Sequence, residues 1–117
     1  MDDEPLNLML FEKIFRNKFD VVTARTPEEG LDKIKEHPSI PIVLSDLKMP
    51  GMNGMEFIKK AKTIDSNKIY FILSGYEITD EITLAIENKI IEKYFRKPYD
   101  FKEIEAAIDE VLSKQKP

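Results

Sequence analysis

Three residues of different chemistry each stand at the end of a short apolar run. Asp46 closes Pro41 to Leu44 by way of Ser45, Ser74 follows Ile69 to Leu73, and Lys97 follows Ile91 to Arg96. Runs that are apolar along their whole length are the pattern of strands buried on both faces of a parallel sheet. In open parallel sheets the functional groups collect at the carboxyl ends of the strands, near the point where the strand order reverses. A carboxylate, a hydroxyl and an ammonium are therefore expected on one rim. Asp2, Asp3 and Glu4, just ahead of a first helix, add acid to the same rim. So much negative charge repels a phosphoryl group, but it suits Mg²⁺, a hard cation that takes carboxylate, carbonyl and water oxygens. A bound metal inverts the local electrostatics and makes phosphoryl transfer to a carboxylate feasible.

Helices and strands in alternation must position that rim. Pro5 suits a first helical position, and Leu6, Met9 and Leu10 recur at helical spacing towards Ile14. Asp20 to Ala24 reads as a strand. Thr26-Pro27-Glu28-Glu29 is a capping box with Pro inside it, and the helix it opens runs through Leu31 and Ile34 until His37-Pro38. After the strand ending on Asp46, Pro50-Gly51 and Asn53-Gly54 mark a tight loop, and Met55, Ile58 and Ala61 set the period of the next helix. Thr79 or Asp80 caps a helix whose inward face carries Ile82, Ala85 and Ile86. Asp100 with Glu103 caps the last one, buried along Ile104, Ala107, Ile108 and Val111. The expected fold is α/β, a doubly wound parallel sheet of four strands with five helices, in a single domain over residues 1–117.

Composition narrows the chemistry. The 117 residues include 18 Lys plus Arg and 22 Asp plus Glu, a formal net charge of −4. With no Cys, disulfides, thiolate metal sites and Cys nucleophiles are excluded, and a single His, His37, leaves no set of imidazoles for a zinc centre. The surface is mildly acidic, against direct nucleic-acid binding, and the longest apolar run, Ile69 to Leu73, is too short to span a membrane. No cleavable leader precedes the acidic start, so a cytoplasmic location is expected.

Asp2-Asp3-Glu4-Pro5, the stretch Ser45-Asp46-Leu47-Lys48-Met49-Pro50-Gly51-Met52-Asn53-Gly54, Leu73-Ser74-Gly75 and Lys97-Pro98-Tyr99 occur in that order at those strand ends. Together they resemble the response-regulator receiver domain, the CheY-like family of two-component signalling, with its flavodoxin-like sheet. The resemblance implies that Asp46 is the phosphoacceptor, attacking phosphorus and forming an acyl phosphate. It implies Mg²⁺ as cofactor, held by Asp3, Asp46 and the backbone carbonyl of Lys48, with Asp2 acting through a water. Lys97 and Ser74 would contact phosphoryl oxygens, and Tyr94 would be the aromatic switch that follows Ser74. The implied partners are a sensor histidine kinase or a phosphotransfer protein of a phosphorelay, and an output partner bound in trans; the chain would not be a turnover enzyme. Singly, Asp46 and Ser74-Gly75 could be turn residues and Lys97-Pro98 a strand terminator. Their convergence on one rim is what those separate origins leave unexplained. A phosphatase with an aspartate nucleophile wants a second Asp two residues on, where Lys48 stands.

In that family the acidic pair ends the first strand, the middle one in the order 2-1-3-4-5. Only Met1 precedes Asp2, so the central strand is missing and the domain reads as N-terminally truncated. About four or five buried apolar side chains at roughly 1.5–3 kcal/mol each amount to on the order of 10 kcal/mol, the stability of a typical domain. Two rearrangements are expected to answer that loss: residues 20–24 close up against the Pro41 to Leu44 strand, or two chains exchange elements in a homodimer. An alternative function follows as well, a receiver-like interaction module independent of phosphorylation, with metal binding impaired by the missing strand.

Overall fold

Side-chain caps start three of the helices, at Thr26 and Asp100 as the sequence marks them and at Asn53. Thr26 Oγ1 accepts from the Glu29 N–H at 3.1 Å, Asn53 Oδ1 from the Glu56 N–H at 2.9 Å, and Asp100 Oδ1 from the N–H groups of Lys102 and Glu103 at 3.0 and 3.4 Å. Each satisfies amides that the first helical turn leaves without a partner. The computed structural model describes residues 5–19, 21–47, 53–65, 67–74, 80–96 and 100–115. Along them run α1 (Pro5–Phe15), α2 (Pro27–Glu36), β1 (Ile42–Asp46), α3 (Gly54–Ile64), β2 (Ile69–Ser74), α4 (Asp80–Glu87), β3 (Lys93–Arg96) and α5 (Phe101–Gln115).

The sheet is parallel throughout, in the order β1-β2-β3. Alternation along β2 divides the interior into two cores. Tyr70 and Ile72 join Ile34 of α2, Phe57 and Ile58 of α3 and Ile82 and Ala85 of α4. Phe71 and Leu73 join Phe15 of α1 and Ile104, Ile108 and Val111 of α5. Helices thus cover both faces, as the run of apolar residues in β2 requires. Burial pushes the Tyr70 phenol up to about 12, and its hydroxyl donates to the Asp65 carbonyl at 3.0 Å.

Two polar devices tie the layers. Lys68 is 3% exposed, and its ammonium donates to the carbonyls of His37 at 3.1 Å, Pro38 at 3.2 Å and Ile40. Asp65 lies 3.6 Å away and supplies the countercharge. A buried ammonium is tolerated because its protons are matched by acceptors, and in return it fastens the turn that leads into β1. Lys18, just past α1, reaches Glu105 and Asp109 of α5 at 2.7 Å each. Asp109 first, then Glu105, hold that ammonium above its usual range.

The stripe Leu6, Met9, Leu10 and Ile14 is helical, as its spacing predicts, and it faces outward: Leu6 is 76% exposed and Met9 66%. The buried side of α1 is Leu8 and Phe15, with Phe11 half-buried; Phe11 and Phe15 pack in the core that α5 and the sheet share. The fourth strand, over 20–24, is absent from the sheet. Residues 21–24 join no ladder, and Asp20 lies outside the described residues. They have not closed up against β1 either: a cavity of about 490 Å³ lies between, lined by Val21 to Ala24 on one side and Ile42 to Leu44 on the other. A strand forms only where a neighbour accepts its backbone hydrogen bonds, and among the described residues 21–24 have no ladder partner.

Replacing Lys68 by Met keeps the apolar stem and removes the donor shared by the carbonyls of His37, Pro38 and Ile40. The Lys68→Met variant is expected to lose about 1–3 kcal/mol in urea unfolding at unchanged m-value.

Candidate functional site

β1 delivers Asp46 to the carboxyl end of the sheet. Its residue partners run from Ile42 with Ile69 to Asp46 with Leu73, and β2 continues from Phe71 with Lys93 to Ser74 with Arg96. Asp46, Leu73 and Phe95 therefore form one row across three strands, with Ser74 and Arg96 in the next row towards the rim. Lys97 follows Arg96 directly in the chain but lies outside the described residues, as do Asp2, Asp3 and Lys48. The structure thus brings Asp46 and the Ser74 backbone to one end of adjacent strands. Tyr94 pairs with Ile72 and is half-buried against the core under α2, α3 and α4.

Asp46 is 7% exposed, and its main chain is held from three directions. The Ser45 hydroxyl, fully buried, donates to the Asp46 carbonyl at 3.0 Å. The ladder extends one residue further, with the Leu47 N–H donating to the Leu73 carbonyl at 2.9 Å. From the third direction comes the start of α3, where the Gly54 N–H donates to the Leu47 carbonyl at 2.7 Å.

Gly54 explains how a helix start comes so close. A Cβ built there would lie 2.3 Å from the Asp46 carbonyl oxygen and 3.0 Å from the Leu47 Cα. Both neighbours are backbone, so no rotamer change makes room. Sequence reasoning took Asn53-Gly54 as a turn mark and missed both roles: Asn53 as the cap of α3 and Gly54 as the close-contact point behind the acceptor. Asn53 followed three residues later by Glu56 is the signal that could have shown the cap; nothing local shows the contact.

Among the described residues no group of three His, Cys, Asp or Glu side chains is gathered as a metal site. Of the oxygen donors expected around Mg²⁺, the described part contains Asp46, and a buried carboxylate at a strand end is the kind of ligand a hard cation takes. Among the described residues no helix is long and apolar enough to cross a membrane.

Residues 1–109 match the family described as the response regulator receiver domain. The chain belongs to that family. Sporulation initiation phosphotransferase F of Bacillus subtilis strain 168 is 32% identical over 112 residues, which span 95% of this chain and 88% of that protein. A receiver domain protein from Clostridium thermocellum superposes with a TM-score of 0.89 at 28% identity, covering 97% of this chain and 91% of the other. A chain of the CheX–CheY–BeF₃–Mg²⁺ complex from Borrelia burgdorferi does so with a TM-score of 0.84 at 25% identity, covering 95% and 84%. Transcriptional regulators also match, but this chain spans only 20% of HoxA from Cupriavidus necator (25% identical) and 25% of ZraR from Klebsiella oxytoca (25% identical). The receiver fold and the two-component class are therefore shared with its relatives, and receiver domains are signalling phosphoacceptors.

In this receiver the Gly54 contact is testable. Gly54→Ala is expected to cost about 1–3 kcal/mol of stability, the range for overpacking, and to move the amide resonances of Asp46 and Leu47 most. Urea unfolding and ¹⁵N-correlated spectra check both outcomes.

Proposed function

We propose that residues 1–117 act as one receiver switch in which Asp46 accepts a phosphoryl group from a phosphohistidine donor. The observation that carries this reading is the placement of Asp46: buried, at the carboxyl end of β1, one row from Ser74 on the neighbouring strand. An Asp46 carboxylate oxygen attacks phosphorus, the P–N bond to the donor imidazole breaks, and the imidazole leaves as the acyl phosphate forms. Water later cleaves the acyl phosphate, returning the carboxylate and inorganic phosphate. Lys97 as an ammonium and Ser74 through its hydroxyl are the groups we assign to the phosphoryl oxygens. An oxygen donor set of Asp3, Asp46 and the Lys48 carbonyl, with Asp2 through a water, fits Mg²⁺, which would supply neutralising charge at the acceptor.

Signal output in this reading is a change of surface rather than turnover. Tyr94, next to Arg96 at the end of β3, would follow Ser74 and repack the surface of α4, β3 and α5, where Leu84 is 55% exposed. A partner binding that surface in trans reads the state. The donor is a sensor histidine kinase or a phosphotransfer protein, in the cytoplasm. A second reading has one observation in its favour, the cavity beside β1: an under-supported acceptor strand suits an interaction module that works without phosphate, as a monomer or as a homodimer with exchanged elements.

Acetyl phosphate with Mg²⁺ distinguishes the two. The expected result is one phosphoryl group per chain, lost completely in Asp46→Asn while far-ultraviolet circular dichroism is unchanged. A folded wild-type chain that takes no label would favour the phosphate-independent module.

A further inference from the structure

We propose that Ser45 is a positioning residue for phosphoryl acceptance: its buried hydroxyl fixes the Asp46–Leu47 peptide and, through it, the direction of the Asp46 carboxylate. Ser45 has this role only if Asp46 is the phosphoacceptor, the reading on which the inference rests.

Side chains alternate along β1 and its one-residue extension at Leu47, so Ser45 points to the same face as Val43 and Leu47. Both of those pack against the core under α2, α3 and α4. In the same row of the sheet β2 carries Ile72, fully buried in that core. An apolar side chain therefore meets the packing needs of this layer. A fully buried hydroxyl in such surroundings costs free energy unless it is bonded. The Ser45 hydroxyl donates to the carbonyl of the next residue, a local contact with the main chain of the acceptor itself.

The peptide that receives this bond is pinned at both ends. Its N–H, that of Leu47, donates across the ladder to the Leu73 carbonyl at 2.9 Å. In a planar trans peptide the carbonyl points opposite to the N–H, so the Asp46 oxygen is directed away from β2. There the Ser45 hydroxyl reaches it at 3.0 Å. A Cβ at Gly54 would come within 2.3 Å of the same oxygen, so the start of α3 closes over it. The peptide before Asp46 is set by the pairing of Ser45 with Ile72, and the peptide after it by these contacts. Asp46 is thereby left little freedom in φ and ψ, the two torsions that aim its Cα–Cβ bond. A nucleophile displaced by a fraction of an ångström loses rate, which is the loss the hydroxyl prevents. Ser45 neither touches phosphorus nor carries a proton in the transfer; it acts through the main chain.

Initial rates of labelling of the full chain by acetyl phosphate at saturating Mg²⁺, followed by intact mass, test this role. Ser45→Ala is expected to label about three- to tenfold more slowly than wild type while still melting cooperatively, the rate effect of one lost positioning hydrogen bond. Phosphoramidate, which releases ammonia in place of acetate, should be slowed by the same factor, because the change lies at the acceptor. Ser45→Thr restores the hydroxyl and should label within about twofold of wild type. Ser45→Cys keeps the size but offers only a weak S–H donor, and should be slowed nearly as much as Ser45→Ala. The cysteine variant decides between hydroxyl and volume even where the added methyl of threonine prevents folding. A wild-type rate in Ser45→Cys, or slowing with one donor only, would overturn the proposal. A labelled wild type matched in rate by Ser45→Ala overturns this inference alone, whereas a folded wild type that takes no label overturns the phosphoacceptor reading and Ser45's role with it.

Discussion

Parallel pairing of β1 with β2 and of β2 with β3, in a single register, is the constraint on which the remaining structure depends. Side chains alternate along a strand, so a slip of one residue would exchange the two faces of the strand that slipped. In the observed register Tyr70 and Ile72 enter the core beneath α2, α3 and α4, while Phe71 and Leu73 enter the one beneath α1 and α5. Each layer of helices thereby has an apolar surface to cover. The same register sets Asp46 level with Leu73 and Ser74 level with Arg96. Burial of apolar side chains thus decides the pairing, and the pairing decides which polar residues reach the rim.

The rim is stiffened where the chemistry is assigned. Ser45, the ladder bond from Leu47 and the first residue of α3 grip the main chain on either side of the Asp46 carboxylate. A nucleophile set in a gripped backbone loses little freedom on reaching its target, which is how a positioned carboxylate outperforms one in solution. Away from β2 the same strand borders a cavity instead of another strand. β1 is therefore gripped from several sides towards Asp46, while Ile42, Val43 and Leu44 also line the cavity.

Much of the fold was legible in local chemistry. Thr26 and Asp100 mark boundaries through bonds made within a few residues, which the structure shows, and Pro27 marks one by its fixed φ at the first helical position. β2 was legible because a run apolar on both faces has one stable environment. The face of α1 was not. Leu6, Met9 and Leu10 are as apolar as Leu8, Phe11 and Phe15, so periodicity identified a helix without choosing its buried side. Residues 20–24 carry strand-forming side chains, yet strand structure needs a partner at the right place, and 21–24 face a cavity. The candidate site divides along the same line: Asp46, Ser74 and Lys97 announce themselves at strand ends, while the closeness of Gly54 to the Asp46 carbonyl has no local signature.

By itself, the sequence determined most of the element order, most helix starts and the parallel α/β class, and it named the residues proposed for phosphoryl chemistry. All of these depend on interactions within a few positions or on the burial preference of a single run. Only the tertiary structure decided which stripe of α1 is buried, that Lys68 fastens the turn before β1, that a Cβ at Gly54 would meet the Asp46 carbonyl, and that a cavity lies between 21–24 and β1. Each of those depends on a neighbour that folding brings from elsewhere in the chain, and no local spacing encodes the distance at which that neighbour arrives.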